Sequence, residues 1–182
     1  MKKPLFVVVC FLAITALSAQ NKSGDFTLAP QLGLNLSNYT SSENLNNKVR
    51  TAFNVGVIAE YYFNDRWSFR SGLVYDSKGT KITSSGQDYI DKLNYVAIPL
   101  HANWHFGSNR NWFLNFGPTV GFLESSFDAG LGAGIGYKFD IADATQLYIQ
   151  YQGYNGFIDL FNADFSVFNA TSAFNLGVVF QL

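Results

Sequence analysis

Two histidines four residues apart, His101 and His105 in the stretch YVAIPLHANWHF (Tyr95–Phe106), are the residues best suited to bind a metal or move a proton. On an extended chain that spacing is about 13 Å, too far for both imidazoles to reach one ion without ligands from other segments. A second set, Glu60, Arg70, Asp76, Lys78 and Lys138, could line a selective passage if their side chains shared one enclosed space. Nucleophilic chemistry would need a thiol or hydroxyl beside a base, and the single cysteine is Cys10, near the N-terminus. No catalytic group, cofactor site or metal site is therefore assigned. What the charged and imidazole groups do depends on the elements that carry them and on which solvent those elements face.

Those elements alternate with period two, the signature of strands with one apolar and one polar face. In the opening stretch Val96, Ile98, Leu100, Ala102, Trp104 and Phe106 form the apolar row, and Tyr95, Ala97, Pro99, His101, Asn103 and His105 the mixed one. Eight such segments can be traced, at about 25–39, 50–63, 67–78, 95–106, 112–123, 130–139, 146–152 and 173–182. Short connections follow the second, fourth and sixth, at 64–66, 107–111 and 141–145. Longer ones, about 40–49, 79–93 and 156–170, together with 124–128, fall at the other end. An even number of strands lets such a meander close on itself, so the predicted fold is all-β, an eight-stranded antiparallel up-and-down transmembrane β-barrel. A three-residue turn at 64–66 would pair Phe63 with Trp67 and place Glu60 opposite Arg70 on the polar face.

The N-terminus and the composition narrow the setting. Residues 1–19 join Lys2 and Lys3 to an apolar run ending in small residues, the build of a cleaved signal peptide, leaving 20–182 as the barrel domain. Cys10 falls in that signal, so the exported chain forms no disulfide. Without Lys2 and Lys3 the formal charge moves from −1 to about −3, which offers no basic footprint for nucleic acid. Charged residues are 14% and aromatics 17%, too few charges to cover a water-facing exterior.

The facing follows from what each row contains. A soluble barrel would turn its polar rows outward, yet these rows are Asn, Gln, Gly, Ser, Thr and Tyr with few charges. The glycines Gly130, Gly132, Gly134 and Gly136 suit a narrow lumen better than a solvated strand. Tyr61, Phe63, Trp67, Trp104, Phe106, Trp112, Phe139 and Phe180 end the apolar rows near the short turns, as a lipid-facing aromatic girdle would. The apolar rows are thus expected to meet lipid. Glu60, Arg70, His101, Asn103, His105, Asn115, Lys138 and Gln150 are expected to form an interior polar network, beside Tyr62, Tyr95 and Tyr148.

The same residues carry a resemblance. LNYVAIPLHANWHF (Leu93–Phe106) resembles the Y-[LIV]-x-[IV]-P-[LI] strand of the PorT-like outer membrane β-barrel domain family of Bacteroidetes-type bacteria. NFGPTVGFL (Asn115–Leu123), FDAGLGAGIGYKF (Phe127–Phe139) and LYIQYQGYNGFIDL (Leu147–Leu160) resemble that family's next three strands. The resemblance implies an outer membrane barrel of OmpX or OmpA-domain shape, inserted by the outer membrane assembly machinery. The chain departs from the usual bacterial pattern in ending Phe180, Gln181, Leu182 in place of a terminal aromatic.

The expected role is that of a small integral outer membrane protein with a side-chain-filled interior, structural or acting through its loops. Its partners would be outer membrane lipids, the assembly machinery and an extracellular or envelope protein reached by TSSENLNNKV and GTKITSSGQDYIDK, with the chain itself a monomer. A narrow pore and a lipid-modifying barrel enzyme are the alternatives. The second would place a nucleophile and base near the lipid-facing rim, and no Ser with a His neighbour stands on the outward rows.

Overall fold

Alternation of apolar and polar side chains becomes nine strands among the residues that the computed structural model describes, 22–43, 46–84, 87–123, 126–160 and 165–182. They are β1 (Phe26–Ser41), β2 (Asn47–Tyr62), β3 (Trp67–Ser84), β4 (Gln87–Pro99), β5 (His101–Phe106), β6 (Trp112–Leu123), β7 (Ser126–Ala142), β8 (Thr145–Gly156) and β9 (Val167–Gln181). The expected signal segment 1–19, with Cys10, lies outside the described residues.

The ring has eight positions because β4 and β5 are two halves of one strand. Val74 pairs with Ala97 and Arg70 with His101, an unchanged register across the gap. Pro99 carries no N–H to donate, so the ladder lapses there and resumes one residue past Leu100. All pairings are antiparallel between chain neighbours, and β1 pairs with β9 from Thr27↔Gln181 to Ser41↔Val167, which closes the circle. Closure leaves no free edge at the level of the ring, the condition for placing a sheet in hydrocarbon.

The tight turns carry their own chemistry. Asn64 Oδ1 accepts from the backbone N–H groups of Arg66 (2.8 Å) and Trp67 (3.0 Å), and Phe63 N donates to Trp67 O at 2.9 Å, as the three-residue turn requires. Arg110, at φ 59°, donates from Nε to Asp65 Oδ2 at 2.9 Å and so ties two adjacent turns together.

At the opposite end the structure corrects the expected loops. Residues 79–84 and 87–93 are not a loop: β3 and β4 continue their pairing to Ser84↔Gln87, and β2 stays beside β3 from Val49↔Thr80 to Asn47↔Ile82, so this stretch is a ribbon of strand that runs past the end of the β4–β6 pairing. Strand also takes up much of the expected connection at 40–49, since β1 runs to Ser41 and β2 starts at Asn47, and β7 already begins at Ser126. These segments lack the apolar alternation that marks a lipid-facing strand, because above the membrane neither face of a ribbon need be apolar.

Inside and outside are divided by parity. Leu32, Leu34, Val55, Leu73, Phe116, Leu131 and Phe174 face outward and are mostly exposed, while Thr27, Asn35, Glu60, Ser68, Asn103 and Lys138 are buried. The core is the lumen. Its apolar members, Ala29, Ile58, Val74, Ala97, Phe113, Tyr148 and Val179, are few, and the remaining space is polar. The β7 glycines make room for that filling: a methyl group at Gly136 would lie 2.2 Å from Phe113 Cζ, and one at Gly130 would lie 2.6 Å from Tyr154 Cζ.

Candidate functional site

At the short-turn end of the lumen the side chains converge on one carboxylate. Glu60 lies two residues before the end of β2 and points inward. Lys138 of β7 donates to its Oε2 at 3.1 Å and to Tyr62 Oη at 2.6 Å. Ser68 of β3 and Asn103 of β5 donate to Oε1, and His105 Nε2 lies 2.7 Å from the same atom. Each of these side chains is almost completely buried, so water does not share the work of solvating the charge.

The in-register partner of Glu60 is Arg70, as the turn geometry at 64–66 predicts, but it is not the nearest cation. Arg70 Nη1 stands 3.8 Å from Glu60 Oε2, and its Nη2 donates to Gln150 Oε1 at 3.0 Å and Tyr148 Oη at 3.3 Å. Its guanidinium also lies over the rings of Phe113 and Tyr148. Tyr62, Phe113 and Tyr148 are completely buried around this cluster, and the Tyr148 hydroxyl donates to Gln31 Oε1 at 2.5 Å.

Ser68, His105 and Glu60 are the constituents of a hydrolytic triad, and their geometry shows that they are not arranged as one. Ser68 Oγ lies 3.1 Å from His105 Nε2, and Glu60 meets that same nitrogen. A triad uses the two ring nitrogens for the two partners, so that the histidine takes the serine proton while the acid orients it. Here the serine proton goes to Glu60, and no surface of Ser68 is open to a substrate. The arrangement solvates a carboxylate.

His101 belongs to a separate network. Its Nδ1 lies 3.1 Å from Asn115 Oδ1 and its Nε2 lies 2.9 Å from Thr119 Oγ1. The two histidines are thus buried in different contacts, and among the described residues no three His, Cys, Asp or Glu side chains gather as a metal cluster.

Above the Glu60 cluster the lumen holds a cavity of about 90 Å³. Amides from β1, β2, β8 and β9 form one wall. Asn54 Nδ2 donates to Asn35 Oδ1 (2.8 Å) and Asn175 Oδ1 (2.9 Å), and Gln150 Nε2 donates to Gln152 Oε1 (2.6 Å). Ile58, Val74, Ala97 and Pro99 form the facing wall. The roof is Lys78, whose Nζ lies 3.2 Å from Asp76 Oδ2 and 3.6 Å from the centre of the Tyr154 ring. Arg50 reaches over it to donate to the Lys78 carbonyl and to Ser77 Oγ.

Sequence reasoning placed Glu60, Arg70, His101, Asn103, His105, Asn115, Lys138 and Gln150 on inward faces, and the structure buries all eight. Asn35, Asn54 and Ser68 alternate on the same inward polar rows and join the network beyond those eight, as does Arg50, whose polar type and parity were the available signal. Sequence reasoning omitted Phe113, an aromatic whose parity alone turns it inward.

On the exterior near the short turns, ring contacts run without a break from Trp67 to Trp104, Phe106, Trp112, Tyr137 and Phe139. Tyr61 and Phe63 form a neighbouring edge-to-face pair. Phe180 stands apart on β9, between Leu28 and Thr145.

The ribbon is the second feature of note. Residues 87–95 of β4 pair with β3 alone, because the pairing of β4 with β6 begins only at Val96↔Phe122. Among the described residues the far edge of β4 therefore has no strand beside it over this length. Gln87, Asp88, Tyr89, Ile90, Lys92 and Asn94 are all exposed there.

Residues 18–127 match the outer membrane protein beta-barrel domain family. No curated protein matches the chain. Among solved structures the chain is similar to the outer membrane protein OprG from Pseudomonas aeruginosa, at 12% identity and TM-score 0.61, over 90% of this chain and 98% of that one. It is also similar to the outer membrane protein AlkL in DMPC lipid bilayers (12%, TM-score 0.56, over 93% and 95%). Neisserial surface protein A is a third (17%, TM-score 0.54, over 86% and 97%). At these identities the likeness is one of fold.

Proposed function

Since the chain belongs to the outer membrane protein beta-barrel domain family and resides in the outer membrane, we propose that it is a non-enzymatic barrel that presents a projecting ribbon to another protein of the envelope or its surroundings. The observation that carries this reading is the one-sided pairing of β4 over 87–95. A row of backbone donors and acceptors without a neighbouring strand is a template for an extended segment of another chain. Within the family, the motifs at Leu93–Phe106 and Asn115–Phe139 ally the chain with PorT-like members. The protein acts as a monomer inserted by the outer membrane assembly machinery, with Tyr61, Phe63, Trp67, Trp104, Phe106, Trp112, Phe139 and Phe180 at the headgroup level.

The test places a photo-crosslinking amino acid at Ile90 on intact cells and compares the full ribbon with a variant in which residues 82–89 are replaced by Asn-Gly. That replacement keeps the Lys81↔Ile90 pair and the barrel below it. A discrete protein adduct that disappears in the shortened variant, with heat-modifiable gel mobility unchanged, is expected. No adduct at Ile90, or one that persists without the ribbon, would refute the reading. The rival pore is tested by single-channel conductance in a planar bilayer. The buried Glu60–Lys138–Tyr62 contacts predict a silent, inserted barrel, and steady openings would replace this reading with transport.

A further inference from the structure

We propose that the cavity between the Glu60 cluster and the Lys78 roof is a binding site for a small monocarboxylate with a short apolar body. Its charged lining residues are Arg70, Lys78 and Asp76, two cations against one carboxylate. Asp76 is already answered, with Lys78 Nζ 3.2 Å from Oδ2 and Asn35 Nδ2 donating to Oδ1 at 2.6 Å. Arg70 is answered only in part. Both of its hydrogen-bonded partners, Gln150 and Tyr148, are neutral, and its one carboxylate, Glu60, 3.8 Å from Nη1, is shared with Lys138 at 3.1 Å and takes its hydrogen bonds from Lys138, Ser68, Asn103 and His105.

The imbalance extends beyond the lining. Arg50, Arg70, Lys78 and Lys138 are buried, against Glu60 and Asp128, with Asp76 a partly buried third carboxylate. Asp91, which accepts from the Tyr39 hydroxyl at 2.8 Å, lies further out toward the ribbon. Two buried cations, Arg70 and Lys138, that share the single carboxylate of Glu60 leave positive charge uncompensated, so a monovalent anion beside Arg70 would be held by a gain that bulk solvent does not match.

The walls set the rest of the ligand. The amides of Gln31, Gln150 and Asn175 offer N–H groups to oxygen atoms on one side. Ile58, Val74, Ala97 and Ala173 present only carbon on the other, which suits a two- or three-carbon body and gives a bare halide nothing to fill the space. Toward the short turns the lumen is filled by the buried side chains of Tyr62, Phe113 and Tyr148, so the proposed route of entry is from the ribbon end past Lys78.

The experiment refolds the protein into micelles in the presence of propionate, which allows the ligand to be enclosed, and follows the methyl signals of Ile58, Val74 and Ala97 by NMR. The comparison ligand is propionamide, of the same shape without the charge. Saturable shifts with propionate, at least about tenfold weaker with propionamide, are expected. Val74→Phe, which fills the cavity, should abolish the shifts at Ile58 and Ala97, and Lys78→Met should weaken them while the Glu60 cluster stays intact. Arg70→Gln is the direct test if it folds, and the other two variants decide the matter if it does not. Shifts that never saturate, equal affinity for propionamide, or binding unchanged in Val74→Phe would overturn the assignment.

Discussion

Replacing Glu60 with Gln keeps the size of the side chain and removes the charge on which the turn-end network converges. Lys138 Nζ lies 3.1 Å from Oε2 and Arg70 Nη1 lies 3.8 Å from it. At an effective dielectric constant of about 20, unit charges at those separations attract by roughly 5 and 4 kcal/mol. Part of this is returned, since the desolvation of Glu60 itself no longer has to be met. The remainder is the cost of leaving Lys138 buried without a counterion, and the net loss expected is about 3–5 kcal/mol. The double variant Glu60→Gln, Lys138→Met removes both members and should recover at least half of that loss. The assay is urea unfolding in lipid vesicles, read by tryptophan fluorescence and by gel mobility without boiling. A single variant within about 1 kcal/mol of the parent would mean that the pair behaves as an exposed one, and a double variant no better than the single would mean that Lys138 is not the stranded partner.

Three further outcomes follow from facing, space and charge. Leu176 is outward and Asn175 inward, so Leu176→Arg should cost about 2–4 kcal/mol of folding into vesicles if it sits near the midplane, whereas Asn175→Arg should act through the lumen; equal damage, measured as shifts in urea midpoint across bilayers of different thickness, would overturn the facing. Gly136→Ala should lower the urea midpoint because its methyl would meet Phe113 Cζ at 2.2 Å and Ile149 O at 2.6 Å, while Gly153→Ala, whose nearest contact is Ala133 O at 3.7 Å, should leave it unchanged. On the ribbon, a hydrogen bond from the Thr83 hydroxyl and then the charge of Lys48 hold the Asp88 carboxyl below its usual range. This contact supports the ribbon above the ordinary Asp pKa and is lost as pH falls through the depressed one, so amide exchange at the ribbon tip should quicken on acidification, and Thr83→Val should move the Asp88 titration upward.

Much of this architecture could be read from the chain. Parity in segments such as Val96–Phe106 fixed which side chains face the lumen, and the turn at Asn64–Arg66 fixed Glu60 opposite Arg70. Which inward residues touch was not legible, because that depends on how strands far apart in the chain are staggered around the ring. Lys138 reaches Glu60 across the lumen from β7, and no local pattern announces it. The ribbon was missed for a different reason: GTKITSSGQDYIDK is polar, and polarity reads as loop wherever alternation is the only sign of strand. Phe113 was overlooked because an aromatic in the lumen breaks the chemical rule while obeying the geometric one.

The pairing of β1 with β9 has a consequence for the order of assembly. Thr27 and Gln181 are joined by nearly the whole chain, so their contact closes the longest loop in the molecule and carries its largest entropic cost. Neighbouring hairpins such as β2–β3 and β7–β8 can form early, and each exposes its polar face to water at no penalty. Only when the last strand docks are Glu60, Arg70 and Lys138 shut away together. Sealing the wall and neutralising the interior are therefore one late event, and a chain cut before β9 would lose both at once.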